Sequence, residues 1–323
     1  VISPLIATSP HLAAFAKELR KSAKSGSDWE RGVNMCELDD MEEFSKLASG
    51  VSRRRFSTLA LGAGLAAALP RFAQAAETKG ADVEIKTPDG TCDAFFVTPA
   101  KGKHPAVLMW PDIFGLRPAS KEMATRLASS GYSVLVINPF YRTKKAPTAP
   151  EHPDFNDPTT RDALMALAGS LSPATAATDA KAFVAFLDAQ AAVNKKMKMG
   201  TTGYCMGGPF VFRTAAAYPD RVGAAATFHG GGLVTDKPDS PHQLIPQMKA
   251  QFLVAIAEND DARQPEAKTV LKDAFAKASL TAEVEVYAGA QHGWCPPDSA
   301  VYNHDQAEKA WSRQLALFSK ALV

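Results

Sequence analysis

The chain has 323 residues, an apolar fraction of 46% and a formal net charge of +2. That length and composition suffice for one large α/β domain or two small ones. The near-neutral charge excludes a broad basic surface for nucleic acid. Four cysteines in a chain of this size do not make a disulfide framework.

Residues 1–75 read as a leader. Ser52-Arg53-Arg54-Arg55-Phe56 resembles the twin-arginine export motif Ser-Arg-Arg-x-Phe. The apolar segment Leu59 to Leu69 follows, too short to cross a hydrocarbon layer of roughly 30 Å as a helix. The small-residue site Ala73-Gln74-Ala75 then places cleavage before Ala76. An ordinary buried helix is the alternative, but a basic N-terminal cluster opposes the helix dipole. Export signals are N-terminal, so the expected translation start is Met41, or else Met35, with the residues upstream an artefact of the gene start. The expectation is export through the twin-arginine translocation machinery to the bacterial periplasm, with no stable membrane anchor. The mature domain would be 76–323. It keeps Cys92, Cys205 and Cys295, an odd number that requires at least one free thiol.

From residue 81 the pattern is regular. Asp82 to Thr87 and Cys92 to Thr98 alternate around Pro88-Asp89-Gly90, which predicts a β-hairpin. Pro105 to Trp110 and Tyr132 to Asn138 are short apolar runs suited to buried strands. Between them, residues 119–130 have helical spacing ended by Gly131. Residues 139–160, rich in Pro, Thr and Asp, predict an irregular loop over the C-terminal strand ends, where substrates are met. Helices are predicted at 160–169, 174–191, 208–218, 265–278 and 305–322. Strands are predicted at 197–202, 224–228, 251–257 and 282–287. After the hairpin this alternation demands an α/β fold with a mostly parallel central sheet covered by helices on both faces.

Gly203-Tyr204-Cys205-Met206-Gly207-Gly208 interrupts that alternation between a strand and a helix. It is the nucleophile-elbow pattern Gly-x-Nuc-x-Gly with cysteine as the nucleophile. The turn is so tight that flanking side chains would collide, hence the glycines. It lifts the sulfur above the sheet edge and aims backbone N–H groups and a helix N-terminus at the same spot. Taken alone, the pentapeptide could equally be a buried cysteine in a Gly-rich βα turn. A reactive elbow needs a base, and a third group to orient that base.

In α/β-hydrolases these partners follow in the order acid, then histidine. The strand ending at Ala257 runs into Glu258-Asn259-Asp260-Asp261, and the strand ending at Tyr287 runs into Ala290-Gln291-His292-Gly293. Both segments leave C-terminal strand ends, so both lie on the active face. Asp260 is preferred as the acid, with Asp261 as its competitor. His229 ends a strand beside Gly230-Gly231-Gly232 and could line the pocket, but it precedes the acid. The oxyanion-hole amides are expected from Met206 and from Ile113, in the loop after the first parallel strand.

Asp112-Ile113-Phe114-Gly115-Leu116, the Gly203–Gly208 elbow, the acid segment 258–260 and Ala290-Gln291-His292-Gly293 together resemble the dienelactone hydrolases from residue 82 to residue 322. The resemblance implies the α/β-hydrolase fold and a Cys205–Asp260–His292 triad. It implies hydrolysis of a small-molecule ester or lactone through a thioester acyl-enzyme, of the carboxymethylenebutenolidase type, without metal or cofactor. Members of the family open dienelactone to maleylacetate.

Two departures qualify the substrate. The family's thiol-activating glutamate is Asp112 here, one methylene shorter. The family's substrate-binding arginine four residues after the histidine is Pro296. Arg117 and Arg142 are candidate substitutes, although surface charge is the preferred reading of each. A broader periplasmic carboxylesterase or thioesterase is therefore the alternative, and a catalytically silent binding protein a more distant one. Cys295, three residues after His292, is expected to be a buried unpaired thiol, with a disulfide to Cys205 as its alternative.

Overall fold

The computed structural model describes residues 76–151 and 153–323. The expected start at Met41, the twin-arginine motif and the site Ala73–Ala75 lie outside the described residues. The described chain opens on β1 (Thr78–Thr87) and β2 (Gly90–Pro99), antiparallel, with Thr87 opposite Gly90 and Ile85 opposite Cys92. The predicted hairpin is therefore present, with Pro88-Asp89 as its two-residue connection.

Six further strands follow: β3 (Ala106–Trp110), β4 (Ser133–Ile137), β5 (Met199–Tyr204), β6 (Val222–Phe228), β7 (Gln251–Ala257) and β8 (Ala282–Tyr287). Their order across the sheet is β1-β2-β4-β3-β5-β6-β7-β8. β2 meets β4 antiparallel, and every later pairing is parallel. The chain steps outward from β3 to β4, then returns past β3 to β5. That reversal opens a crevice at the C-terminal ends of β3 and β5, the place where open α/β sheets bind ligands. Trp110 pairs with Gly203 there.

Seven helices occur among the described residues: α1 (Pro118–Ser129), α2 (Pro158–Ala168), α3 (Pro173–Ala189), α4 (Gly208–Ala217), α5 (Glu258–Arg263), α6 (Ala267–Lys277) and α7 (His304–Ala321). β3 and β4 are buried along their whole length. From β3, Leu108 and Trp110 face a cluster holding Phe183 of α3, Phe212 of α4 and Phe275 of α6. Val107 and Met109 face the opposite cluster, with Leu127 of α1 and Phe318 of α7. Burial on both faces is why these strands read as unbroken apolar runs. Each such large side chain contributes about 1.5–3 kcal/mol on full burial. Helix starts follow capping chemistry. Asp157 accepts from the Thr160 amide at 2.8 Å, Ser172 from Thr175 at 3.1 Å and Asn303 from Gln306 at 3.2 Å.

Glu258-Asn259-Asp260-Asp261 opens α5, where carboxylates complement the helix dipole. The structure corrects one expected boundary. The loop after β4 ends three residues early, because Asp157 caps a helix that Pro158 begins. Two 3-10 turns, Cys205–Gly207 and Pro241–Gln247, were not anticipated, being too short to carry a periodic signal. Among the described residues no helix is long and apolar enough to cross a membrane.

Candidate active site

β5 delivers Cys205 into the crevice between β3 and β6. Its φ is +51°, a left-handed conformation that costs a non-glycine residue about 1 kcal/mol or more. Close approach explains the glycines around it. A Cβ at Gly203 would lie 2.5 Å from the Gly207 carbonyl oxygen, and one at Gly207 would lie 2.3 Å from that of Trp110. The elbow is thus pressed against the end of β3, and Ile113, in the loop that follows, borders the same cavity as Cys205. Among the described residues the Ile113 amide donates to no protein partner.

His292 arrives from the turn after β8. Three cross-links to the start of α5 fix its height. The Glu258 amide donates to the Ala290 carbonyl at 2.9 Å, the Gly289 amide to Glu258 Oε2 at 3.0 Å, and the His292 amide to Asn259 Oδ1 at 2.8 Å. The imidazole then bridges two groups. Its Nδ1 lies 2.6 Å from Asp260 Oδ2, and its Nε2 lies 3.0 Å from Cys205 Sγ. Burial works against a charged imidazole and is the largest single influence. The hydrogen bonds to Asp260 and Cys205, with the charges of both, outweigh it and push His292 up to about 10. Asp261 points away, to Lys268 Nζ at 2.7 Å.

Asp112 borders the same cavity, but its carboxylate is engaged. Oδ1 accepts from the Phe114 amide at 2.9 Å and from Arg117 Nη1 at 2.7 Å, and Oδ2 accepts from Arg117 Nη2 at 2.9 Å. Among the described residues it makes no hydrogen bond to Cys205. Arg117 is not a surface charge: it is 8% exposed and also donates from Nε to Asp298 Oδ2 at 2.7 Å. The Asp112–Arg117–Asp298 clasp joins the loop after β3 to the segment after His292. Arg142 is not a surface charge either. It binds Asp179 and Asp89, away from the cavity. One signal for Arg117 was present in the sequence. It occupies the position just before a Pro-initiated helix, where Ser, Asp or Asn is favoured and a cation opposes the dipole. Asp298 had no such signal.

The cavity above Cys205 has a volume of about 580 Å³ and is bordered by Ile113, Phe114, Phe155, Pro296, Val301 and His292. Phe155 comes from the irregular segment after β4, which meets the strand ends as the sequence predicts. His229 also lines it. That residue is buried with φ +42°, and among the described residues its ring nitrogens have no partner. Burial first, then the charge of His292, hold it well below the usual imidazole range. Cys295 lies elsewhere, in a cavity of about 110 Å³ beside Tyr204, Trp311 and Gln314. Cys92, Cys205 and Cys295 are all free thiols. Among the described residues no cluster of three or more His, Cys, Asp or Glu could hold a metal ion.

The profile of the dienelactone hydrolase family matches residues 92–322. This chain belongs to the dienelactone hydrolase family. A Synechocystis relative, provisionally named carboxymethylenebutenolidase, is 30% identical over 230 residues, covering 69% of this chain and 89% of that protein. The carboxymethylenebutenolidase of Rhodococcus opacus is 28% identical over 234 residues, covering 69% of this chain and 83% of that protein. A crystal structure from Klebsiella pneumoniae, provisionally named dienelactone hydrolase, shares the fold. Its TM-score is 0.65 at 22% identity, covering 76% of this chain and 99% of that one. The mostly parallel eight-stranded sheet with flanking helices is the α/β-hydrolase fold of this dienelactone hydrolase family.

Proposed function

We propose that this member of the dienelactone hydrolase family cleaves carboxylic ester or lactone bonds by acyl transfer to Cys205. The observation that carries the reading is the unbroken relay from Sγ through the His292 ring to the Asp260 carboxylate, at 3.0 and 2.6 Å. The thiolate is the nucleophilic form. It attacks the carbonyl carbon as the Cys205 proton resides on His292 Nε2, and Asp260 stabilises the imidazolium through Nδ1–H. The oxyanion is received by the Met206 and Ile113 amides, each such donor contributing about 3–4 kcal/mol in the transition state. His292 gives its proton to the leaving alkoxide, which departs as alcohol and leaves a thioester. Water attacks that thioester as His292 takes its proton, and the C–S bond breaks to release the carboxylic acid and the thiol.

Intact-protein mass spectrometry after mixing with an activated aryl ester tests this. The expected result is one acyl group on the wild type and none on Cys205→Ala. Acylation of Cys205→Ala to the same extent overturns the nucleophile. The export motif Ser52–Phe56 supports a further part of the proposal, action in the periplasm after cleavage near Ala75. Fractionation of cells carrying the full precursor tests that part, and an uncleaved cytoplasmic product overturns it.

A further inference from the structure

Resting on the hydrolase reading above, we infer that the cavity selects uncharged esters and lactones with an apolar acyl part, and rejects acyl groups that carry a carboxylate. The argument is one of charge. Four carboxylates border the cavity: Asp112, Asp154, Asp260 and Asp298. Only one arginine or lysine among the described residues borders it, Arg263. Its side chain is 75% exposed, and its nearest acid is Asp260 Oδ1 at 3.8 Å.

The nearest buried cation, Arg117, is already committed. Four of its donor contacts go to the Asp112 and Asp298 carboxylates, at 2.7–2.9 Å. Its remaining contact is the Gly115 carbonyl at 3.4 Å, and its guanidinium carbon sits over the Phe114 ring at 5.2 Å. No part of that fork is left for a ligand carboxylate. The His292 ring lies between Asp260 and the sulfur, so both of its nitrogens are already engaged. A carboxylate on the acyl group would therefore leave water without gaining a partner, and would share the cavity with four acids. The cavity is open to solvent, so added salt screens part of that repulsion.

The apolar side of the cavity supplies what a neutral acyl chain needs. Phe114 and Phe155 meet edge to face at 6.5 Å, and Val301 borders the same cavity. Phe155 is 37% and Val301 40% exposed. Exposed apolar groups gathered at one rim mark a surface that a ligand covers.

The test compares two aryl esters with one leaving group and acyl chains of equal length, a butyrate and a succinate monoester. At low salt we expect kcat/KM for the butyrate to exceed that for the succinate at least tenfold. The gap narrows as salt rises from about 0.01 to about 0.5 M, because added ions screen the repulsion. Asp298→Asn removes one carboxylate from the cavity border and the charged partner of Arg117 Nε, and should narrow the gap severalfold at low salt. If that variant does not fold, the salt series on the wild type decides. Equal rates, or a preference for the succinate that Arg263→Gln abolishes, overturn the selectivity and leave the hydrolase reading intact. Hydrolysis of neither ester, with no acyl group on Cys205, overturns both.

Discussion

Cys205 and Cys295 are both free thiols close to the segment that carries His292, yet their surroundings differ in kind. Cys205 sits at a left-handed turn, has an imidazole 3.0 Å from its sulfur, and opens onto the larger cavity. Cys295 is three residues from His292 in the chain, but its thiol borders a small pocket beside Tyr204 and Gln314. Burial pushes that thiol well above its ordinary range. Nearness in sequence to the base counts for nothing here. The partner and the aim of the side chain decide which sulfur reacts.

The largest expected effect is that of removing the reactive sulfur. Cys205→Ala should lower kcat for ester hydrolysis by about a thousandfold or more, with an unchanged circular dichroism spectrum. Retention of more than a tenth of the activity would break the contrast between the two thiols. Next comes the orienting acid. Asp260→Asn should cost about 10²–10⁴ in kcat, by analogy with the Asp-to-Asn change in a serine protease triad. Asp261→Asn, which loses only the Lys268 pair, should cost less than about threefold. Equal losses would show that α5 presents its two acids interchangeably. Alkylation sharpens the contrast directly. With iodoacetamide at neutral pH, peptide mapping should find Cys205 modified more than about tenfold faster than Cys295.

The stability effect is smaller, and its sign follows from His292. Its pKa is raised on folding, so the stabilisation it brings is fully present below its unfolded value of 6.5. It is lost as pH rises through about 10. Urea titrations should therefore show the margin of wild type over His292→Gln shrinking between those limits. A margin that grows with pH would contradict the assignment of the proton. The smallest expected effect is that of Cys295→Ser. It should leave kcat within about twofold, since that sulfur makes no contact with the relay.

Much of this contrast was legible in the sequence, for physical reasons. β3, β4 and β7 are buried on both faces and read as apolar runs. The elbow was legible because its glycines answer to steric clearance: Gly203 and Gly207 each face backbone oxygens that would touch a methyl group. His292 followed from the order of strand ends. The clasp of Asp112, Arg117 and Asp298 was not legible. Arg117 and Asp298 are 181 residues apart, and an ion pair across such a separation leaves no local period or spacing. His229 was visible only as a histidine at a strand end. Its burial against the rings of His292 and Trp294 depends on packing between β6 and the segment after β8.

The contact between Gly207 and the Trp110 carbonyl bears on how such a site can diversify. Cys205 borders open cavity and its sulfur has one close polar neighbour, His292 Nε2 at 3.0 Å, so exchanging sulfur for oxygen at position 205 disturbs that contact and little else. A methyl group at 207 would instead pry the end of β5 from the end of β3. Reaction chemistry at this elbow is thus freer to drift than its clearances. In a saturation library, position 205 should yield folded variants of altered reactivity, while position 207 should yield almost nothing but glycine.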